Sequence, residues 1–219
     1  MITEETRKVL HTYNLAACCN PPTIHNTYEL TRRVIDENIP GDLVECGVYA
    51  GAQIAAMWKA CQDAGVTREI HAFDSFQGCP AAGEMDDSEW QAVAEGKACC
   101  ERDTFQLFMD RWGVDGITVH EGWFEDTVPN WAFGLLTWEG NVEVRNYRSI
   151  ALLRLDGDLY SSTMTCLTHL YPLVSPGGFV VVDDYALRGC RTAVHEYFGD
   201  DLPELHKVEG GGGPVWFRK

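Results

Sequence analysis

Two short stretches constrain this chain more than anything else in it: Leu153-Arg154-Leu155-Asp156-Gly157-Asp158 and Phe179-Val180-Val181-Val182-Asp183-Asp184. Each is an apolar run closed by a pair of carboxylates. Apolar runs of this kind read as strands buried on both faces of a parallel sheet. In open α/β sheets, ligands sit in the crevice beyond the carboxyl ends of the strands, and both runs carry their acids to that end. Between them, Tyr160 to Leu173 is of helix length, with Met164, Leu167, Leu170 and Leu173 at spacings of three. Pro176-Gly177-Gly178 predicts the turn into the second run. If the two strands are neighbours, four carboxylates converge. Like charges so close repel and raise their own pKa values unless a cation neutralises them. Hard divalent ions such as Mg²⁺ choose oxygen donors of this type. Loop residues and helix caps explain either pair alone, but the repeat at matched strand ends favours a metal site.

The same device recurs upstream. Asp42-Leu43-Val44-Glu45-Cys46-Gly47-Val48-Tyr49-Ala50-Gly51 reads as a strand and a glycine-containing turn, followed by an apolar helix from Ile54 to Ala64. Glycine lets a ligand approach the backbone, and a helix N-terminus offers free amides. The pattern is E-x-G-x-x-x-G. Its acid would repel a pyrophosphate but suits the positively charged end of S-adenosylmethionine (SAM). Next, Glu69-Ile70-His71-Ala72-Phe73-Asp74-Ser75-Phe76 is a strand ending in a carboxylate placed to accept the two hydroxyl protons of a ribose. A third strand and its loop run from Ile117 through His120 and Gly122-Trp123-Phe124 to Thr127; Trp123 or Phe124 is placed to lie against a flat base, and His120 is a candidate helper near the crevice.

Other segments frame these. Residues 1 to 40 read as helical, interrupted by Pro21-Pro22, and serve either as a cap over the site or as an interface. Pro80 to Asp103 is polar, with Glu84, Asp86, Asp87 and Glu89 around Trp90, and reads as a solvated face or a mobile lid. Thr104 to Trp112 is a short helix whose aromatics belong to the core. Thr137 to Val144 reads as a small hairpin. His206 to Val208 and Val215 to Arg218 form a terminal hairpin around Gly210 to Gly213. Five parallel strands plus an antiparallel end pair define the expected fold: an α/β, Rossmann-like class I methyltransferase with a mostly parallel seven-stranded sheet over residues 41–219.

A formal charge of −16 argues against nucleic acid or an anionic membrane as partner. No apolar run reaches the ~20 residues needed to span a bilayer. The first residues lack the basic start and apolar core of a signal peptide, so a cytoplasmic protein is expected. Nine cysteines occur without a C-x-x-C pair, which favours neither a disulfide framework nor a zinc site. Cys46 and Cys166 are expected in the core.

Five motifs together resemble the macrocin O-methyltransferase family of TylF/MycF-type sugar O-methyltransferases. They are Gly41-Asp-Leu-Val-Glu-Cys-Gly-Val-Tyr-Ala-Gly, Ala72-Phe-Asp-Ser-Phe-Gln-Gly, Gly122-Trp-Phe-Glu-Asp-Thr, Leu153-Arg-Leu-Asp-Gly-Asp-Leu-Tyr-Ser-Ser-Thr and Ser175-Pro-Gly-Gly-Phe-Val-Val-Val-Asp-Asp-Tyr. The resemblance covers roughly Gly41 to Phe198, and relative to it Trp131 to Arg148 looks like an insertion. It implies a Mg²⁺-dependent SAM enzyme that methylates a sugar or polyol hydroxyl of a small-molecule natural product and releases S-adenosylhomocysteine (SAH). Glu45, Gly47 and Asp74 would hold SAM, with Ser75 and Phe76 near the adenosine. Tyr49, Gly51, Gly122, Trp123, Phe124 and Asp156 would complete the cofactor contacts. Asp156, Asp183 and Asp184 would bind Mg²⁺. Asp158, beside Asp156, would be the general base or would orient the substrate hydroxyl. A homodimer or higher homo-oligomer is compatible with the N-terminal segment.

Two other readings compete. A phosphatase of the haloacid dehalogenase type also carries Asp-x-Asp after an apolar strand, but normally on the first strand and followed by Thr or Val two places on, where Tyr160 stands here. A SAM-binding interaction module without catalysis would have no need of Asp156, Asp158, Asp183 and Asp184.

Overall fold

The computed structural model describes residues 2–15, 20–133, 135–138, 141–144 and 148–219, with backbone alone for 135–138 and 141–144. Cys18, Cys19 and, within the expected hairpin, Glu139 and Gly140 lie outside the described residues.

Among the described residues, nine strands form in chain order: β1 Asp42–Cys46, β2 Ile70–Asp74, β3 Ile117–Glu121, β4 Leu135–Trp138, β5 Asn141–Val144, β6 Ile150–Leu155, β7 Val174–Val182, β8 His206–Lys207 and β9 Val215–Arg218. Seven of them make one sheet in the order β3-β2-β1-β6-β7-β9-β8. The first five in that order run parallel, and β9 is antiparallel to both its neighbours. The expected hairpin is present as the separate antiparallel pair β4–β5, with Trp138 opposite Asn141.

Among the described residues, eight helices, α1 Glu4–Asn14, α2 Pro21–Asp36, α3 Ala52–Ala64, α4 Ser88–Val93, α5 Arg102–Trp112, α6 Phe124–Phe133, α7 Tyr160–Leu170 and α8 Arg188–Phe198, connect and cover the strands. Because side chains alternate across a strand, the central strands feed two cores. Leu43, Ala72, Leu152, Phe179 and Val181 meet Leu10, Ile24, Ile54 and Phe105 on one face. Val44, Cys46, Phe73, Leu153, Leu155, Val180 and Val182 meet Val128, Cys166, Leu167 and Val194 on the other. The continuous apolar reading of β6 and β7 follows from this double burial. Cys46 and Cys166 are core residues, as expected.

Pro21-Pro22 does more than interrupt. It opens α2, where a fixed φ and a missing amide cost nothing. The helix expected to run to Leu173 stops at Leu170 and tightens into a 3₁₀ turn, Tyr171–Leu173, around Pro172. Pro176-Gly177-Gly178 is not a turn before a strand but an irregularity within one. Ile150 pairs with Val174 and Leu152 with Phe179, so β7 uses five residues where β6 uses two. Gly177 absorbs the distortion at a φ of +84°.

Candidate active site

Register builds the site. Cys46 is level with Phe73 on one side and with Leu155 on the other, and Leu155 is level with Val182. The next residue of each strand therefore emerges at one height: Gly47, Asp74, Asp156 and Asp183. Backbone bonds carry the ladder across this line. Gly47 N donates to Phe73 O at 2.8 Å, Asp156 N to Cys46 O at 2.8 Å and Asp183 N to Leu155 O at 2.9 Å. Here the strand order reverses, with β1 neighbouring β2 on one side and β6 on the other, and a crevice opens at such a point. Gly47 is obligatory, since a Cβ there would lie 1.6 Å from the backbone oxygen of Asp156.

The crevice is an open cavity at these strand ends, the place where ligands of open α/β sheets bind. Its wall includes Glu45, Gly47, Tyr49, Asp74, Ser75, Gly122, Trp123, Phe124, Asp156, Asp158, Asp183 and Asp184. Two expected cofactor residues are not on that wall. Gly51 is the left-handed residue before α3, and a side chain there would strike Met109 and Phe105. Phe76 turns its ring to Phe105 in the core, with centroids 5.5 Å apart, and contributes its backbone instead. His120 is not on the wall either. It stacks on Phe73 at 4.2 Å and approaches His71 at 3.1 Å, on the α6 side of the sheet. Burial, then His71 and Arg148, hold its imidazole down to about 4.

Asp74 is held by the backbone. Its Oδ2 accepts from Val48 N at 2.8 Å and Tyr49 N at 3.0 Å, and its Oδ1 accepts from Phe76 N at 2.8 Å. Burial raises its pKa, and these amides oppose the rise. Tyr49 and Phe76 reach the carboxylate from left-handed backbone, at φ of 48° and 55°. Such conformations are strained for non-glycine residues and persist where surrounding contacts over-determine them.

The second centre is denser. Asp156, Asp183 and Asp184 each offer one oxygen, and the three lie within 4.8 Å of one another. Beneath them Arg154, fully buried in β6, donates from Nε to Glu45 Oε1 at 3.0 Å, and from Nη2 to Asp156 Oδ2 at 2.9 Å and Asp183 Oδ1 at 2.5 Å. Burial works against the guanidinium's charge, but Asp183, Asp156 and Glu45 more than restore it. One cation does not balance this cluster. Burial, then Asp183 and Asp184, push Asp156 well above the usual carboxylate range. Asp184 is pushed up by burial, then by Asp158 and Asp183. Glu45 is raised to about 8 by burial, against the pull of Arg154. Three hard oxygen donors in an over-negative pocket fit a divalent cation such as Mg²⁺. Asp158 sits at the rim with a φ of 58°. Its amide donates to Asp184 Oδ2 at 2.9 Å, and its Oδ2 accepts from the Cys79 thiol at 3.3 Å.

The polar stretch after β2 is pinned at its acids. Asp86 is only 2% exposed. It accepts from Gly83 N and from Tyr160 N, both at 2.8 Å, and so caps α7 from another part of the chain. Asp87 accepts from Arg188 N, at the start of α8, at 2.8 Å. Sequence reasoning missed Arg154, Cys79 and Asp86. Arg154 had a signal, as a lone cation within an apolar strand facing several acids. Asp86 had none, because its partner is 74 residues away.

Strand order, crevice and acidic strand ends together define a class I SAM-dependent methyltransferase. A model of the family described as macrocin-O-methyltransferase (TylF) matches residues 22–219. The chain is 35% identical over 205 residues to the 8-demethyl-8-(2,3-dimethoxy-alpha-L-rhamnosyl)-tetracenomycin-C 4'-O-methyltransferase of Streptomyces olivaceus, a match spanning 88% of this chain and 72% of that protein. It is 33% identical over 198 residues to the mycinamicin III 3''-O-methyltransferase of Micromonospora griseorubida, spanning 84% of this chain and 72% of that one. The solved structure of the O-methyltransferase NovP superimposes with a TM-score of 0.76 at 30% identity, covering 91% of this chain and 80% of NovP. The chain belongs to the macrocin-O-methyltransferase family and is a SAM-dependent O-methyltransferase.

Proposed function

We propose that this chain methylates a sugar hydroxyl of a small-molecule natural product and depends on Mg²⁺ to do so. The observation that carries the metal is the convergence of Asp156, Asp183 and Asp184, of which a single arginine pairs with only the first two. The acceptor class is supported by relatives whose names specify a 4'-O- and a 3''-O-methyltransferase, the first on a rhamnosyl compound.

In this reading Glu45, Gly47, Tyr49, Asp74, Ser75 and the Gly122–Phe124 loop hold the cofactor, whose sulfonium supplies the methyl group. Asp156, Asp183 and Asp184 hold the metal, which supplies Lewis-acid polarisation of a hydroxyl. Asp158 takes the hydroxyl proton as the new C–O bond forms and the C–S bond breaks. Its position is set by the Asp184 and Cys79 contacts. Arg154 spaces the carboxylates, and the Asp86 and Asp87 caps hold the 80–90 segment beside the cavity. In-line transfer depends on positioning, which these contacts provide.

The test is incubation with SAM and a panel of deoxysugar glycosides, with Mg²⁺ or with excess EDTA, scored by SAH release and a one-methyl mass gain. Transfer is expected with Mg²⁺ and lost with EDTA. Undiminished turnover in EDTA would remove the metal from the reaction, and SAM binding with no transfer to any glycoside would overturn the sugar hydroxyl as acceptor.

A further inference from the structure

Every α-helix opens on backbone amides that need acceptors from outside the helix. The two helices that follow the acidic strand ends both begin after a leucine, Leu159 before α7 and Leu187 before α8, and neither leucine caps its own helix. The acceptors come from one distant loop. Asp86 Oδ1 receives Tyr160 N and Asp87 Oδ2 receives Arg188 N, both at 2.8 Å. A carboxylate so placed also meets the positive end of the helix dipole. The two contacts differ in setting. That of Asp87 is exposed, whereas Asp86 is buried and its Oδ2 is held by Gly83 N at 2.8 Å. Its notch depends on Gly189 in the first turn of α8, where a Cβ would lie 1.9 Å from Asp86 Oδ1. Burying a carboxylate costs stability, and a loop that served only as a solvated cover would have no need of it.

What Asp86 holds is the turn that presents Asp158. Leu159 N donates to Gly157 O, closing a three-residue turn centred on Asp158, whose φ is 58°. Such turns with a positive central φ are rare and strained, and strained backbone persists only where its surroundings over-determine it. Here one contact stands on each side: Asp158 N donates to Asp184 Oδ2, and Tyr160 N donates to Asp86 Oδ1. Ser162 and Phe124 close on Gly157, where a Cβ would come within 2.9 Å and 3.1 Å of them, so the turn is packed as well as bonded. We propose that Asp86 is a positioning residue for Asp158: by fixing the first amide of α7 it keeps the turn in its left-handed form and the carboxylate aimed at the acceptor hydroxyl. The rival role, holding the polar loop against the body of the protein, is met by Asp87 as well and requires neither burial nor Gly189. The positioning role rests on the proton-accepting part proposed for Asp158, and it brings in a residue that lies in none of the five family-like motifs.

A double-mutant cycle separates the two roles. A residue that acts through Asp158 has nothing to position once that carboxylate is gone, so its effect on kcat should vanish in an Asp158→Ala background. Wild type, Asp86→Ala, Asp158→Ala and the double variant are assayed by SAH release at saturating SAM, with the panel glycoside that the wild type methylates fastest. Asp86→Ala should lower kcat about ten- to a hundredfold, the scale of an ångström of misplacement. The KM for the glycoside and the calorimetric affinity for SAH should each change by less than about threefold. In the Asp158→Ala background the same substitution should lower kcat by less than about twofold. Gly189→Ala displaces Asp86 without touching its charge; it should repeat the pattern and keeps the test open should Asp86→Ala fold poorly. A crystal structure of either variant should show Asp158 released from left-handed backbone. Equal losses in the two backgrounds, an undiminished kcat, or an unmoved Asp158 would overturn the assignment. Asp158→Ala turning over as fast as wild type would instead remove the proton-accepting role on which it rests. If the wild type methylated no glycoside, the sugar reading would fall, and the crystal structures would decide alone whether Asp86 sets the turn.

Discussion

The cavity has two acidic centres built on opposite principles. At the end of β2 a single carboxylate, Asp74, is held by three neutral backbone amides, those of Val48, Tyr49 and Phe76. At the ends of β6 and β7, Asp156, Asp183 and Asp184 crowd together with one guanidinium bonded to the first two, and are left over-negative. The first is complete within the chain and is preorganised to receive neutral hydroxyl donors. The second is a charge imbalance that invites a cation. Both lie on one wall because the register places the ends of β1, β2, β6 and β7 at the same height. Binding the cofactor and activating the acceptor thus draw on separable carboxylates, and substitutions should separate them.

The largest effect is expected from Asp184→Asn. The amide oxygen can still accept from Asp158 N, so the loop stays in place, but a charged metal donor is lost. Methyl transfer should fall by at least about a thousandfold, while SAH affinity changes by less than threefold. A comparable collapse in SAH affinity would show that the two centres are not separable.

Asp74→Ala should do the reverse. It leaves the amides of Val48, Tyr49 and Phe76 without their acceptor, lowering stability by about 2 kcal/mol, and it removes the proposed ribose contact. SAH affinity should drop about tenfold or more by calorimetry, whereas Mg²⁺ binding to the other centre should persist. Unchanged SAH affinity would mean that β2 has been given the wrong role.

The smallest effect concerns His120, which lies outside both centres. Its folded pKa, about 4, is below the ordinary value near 6.5. Between those values the unfolded chain takes up a proton that the folded chain excludes, so stability should fall as pH drops from 6.5 towards 4. His120→Gln should flatten that part of the melting-temperature profile and leave turnover at pH 7.5 within twofold. A large loss of turnover would return His120 to the catalytic candidates.

What the sequence made legible follows the same division. The apolar strands and the carboxylates at their ends were readable because β6 and β7 are buried on both faces and the acids end the runs. The geometry of turns was not. Gly51 and Phe76 lie in the expected loops, yet left-handed backbone at both positions sends them to the core side rather than into the cavity. His120 lies one residue before the end of the expected strand but faces α6, on the side opposite Ile117 and Val119, so alternation along β3 turns it away from the cavity. Asp86 looked solvated among Glu84, Asp87 and Glu89. Its burial depends on the free amide at the start of α7, a partner that only the tertiary fold supplies.

The most direct test of the central claim needs no acceptor. Mn²⁺, which shares the oxygen preference of Mg²⁺, can be titrated into the wild-type chain and into Asp184→Asn and followed by electron paramagnetic resonance, with Mg²⁺ as competitor. One site per chain, displaced by Mg²⁺ and lost in the variant, is the predicted result. An absence of bound Mn²⁺ in the wild type, or equal binding in the variant, would contradict the assignment of the Asp156, Asp183 and Asp184 cluster as a metal centre.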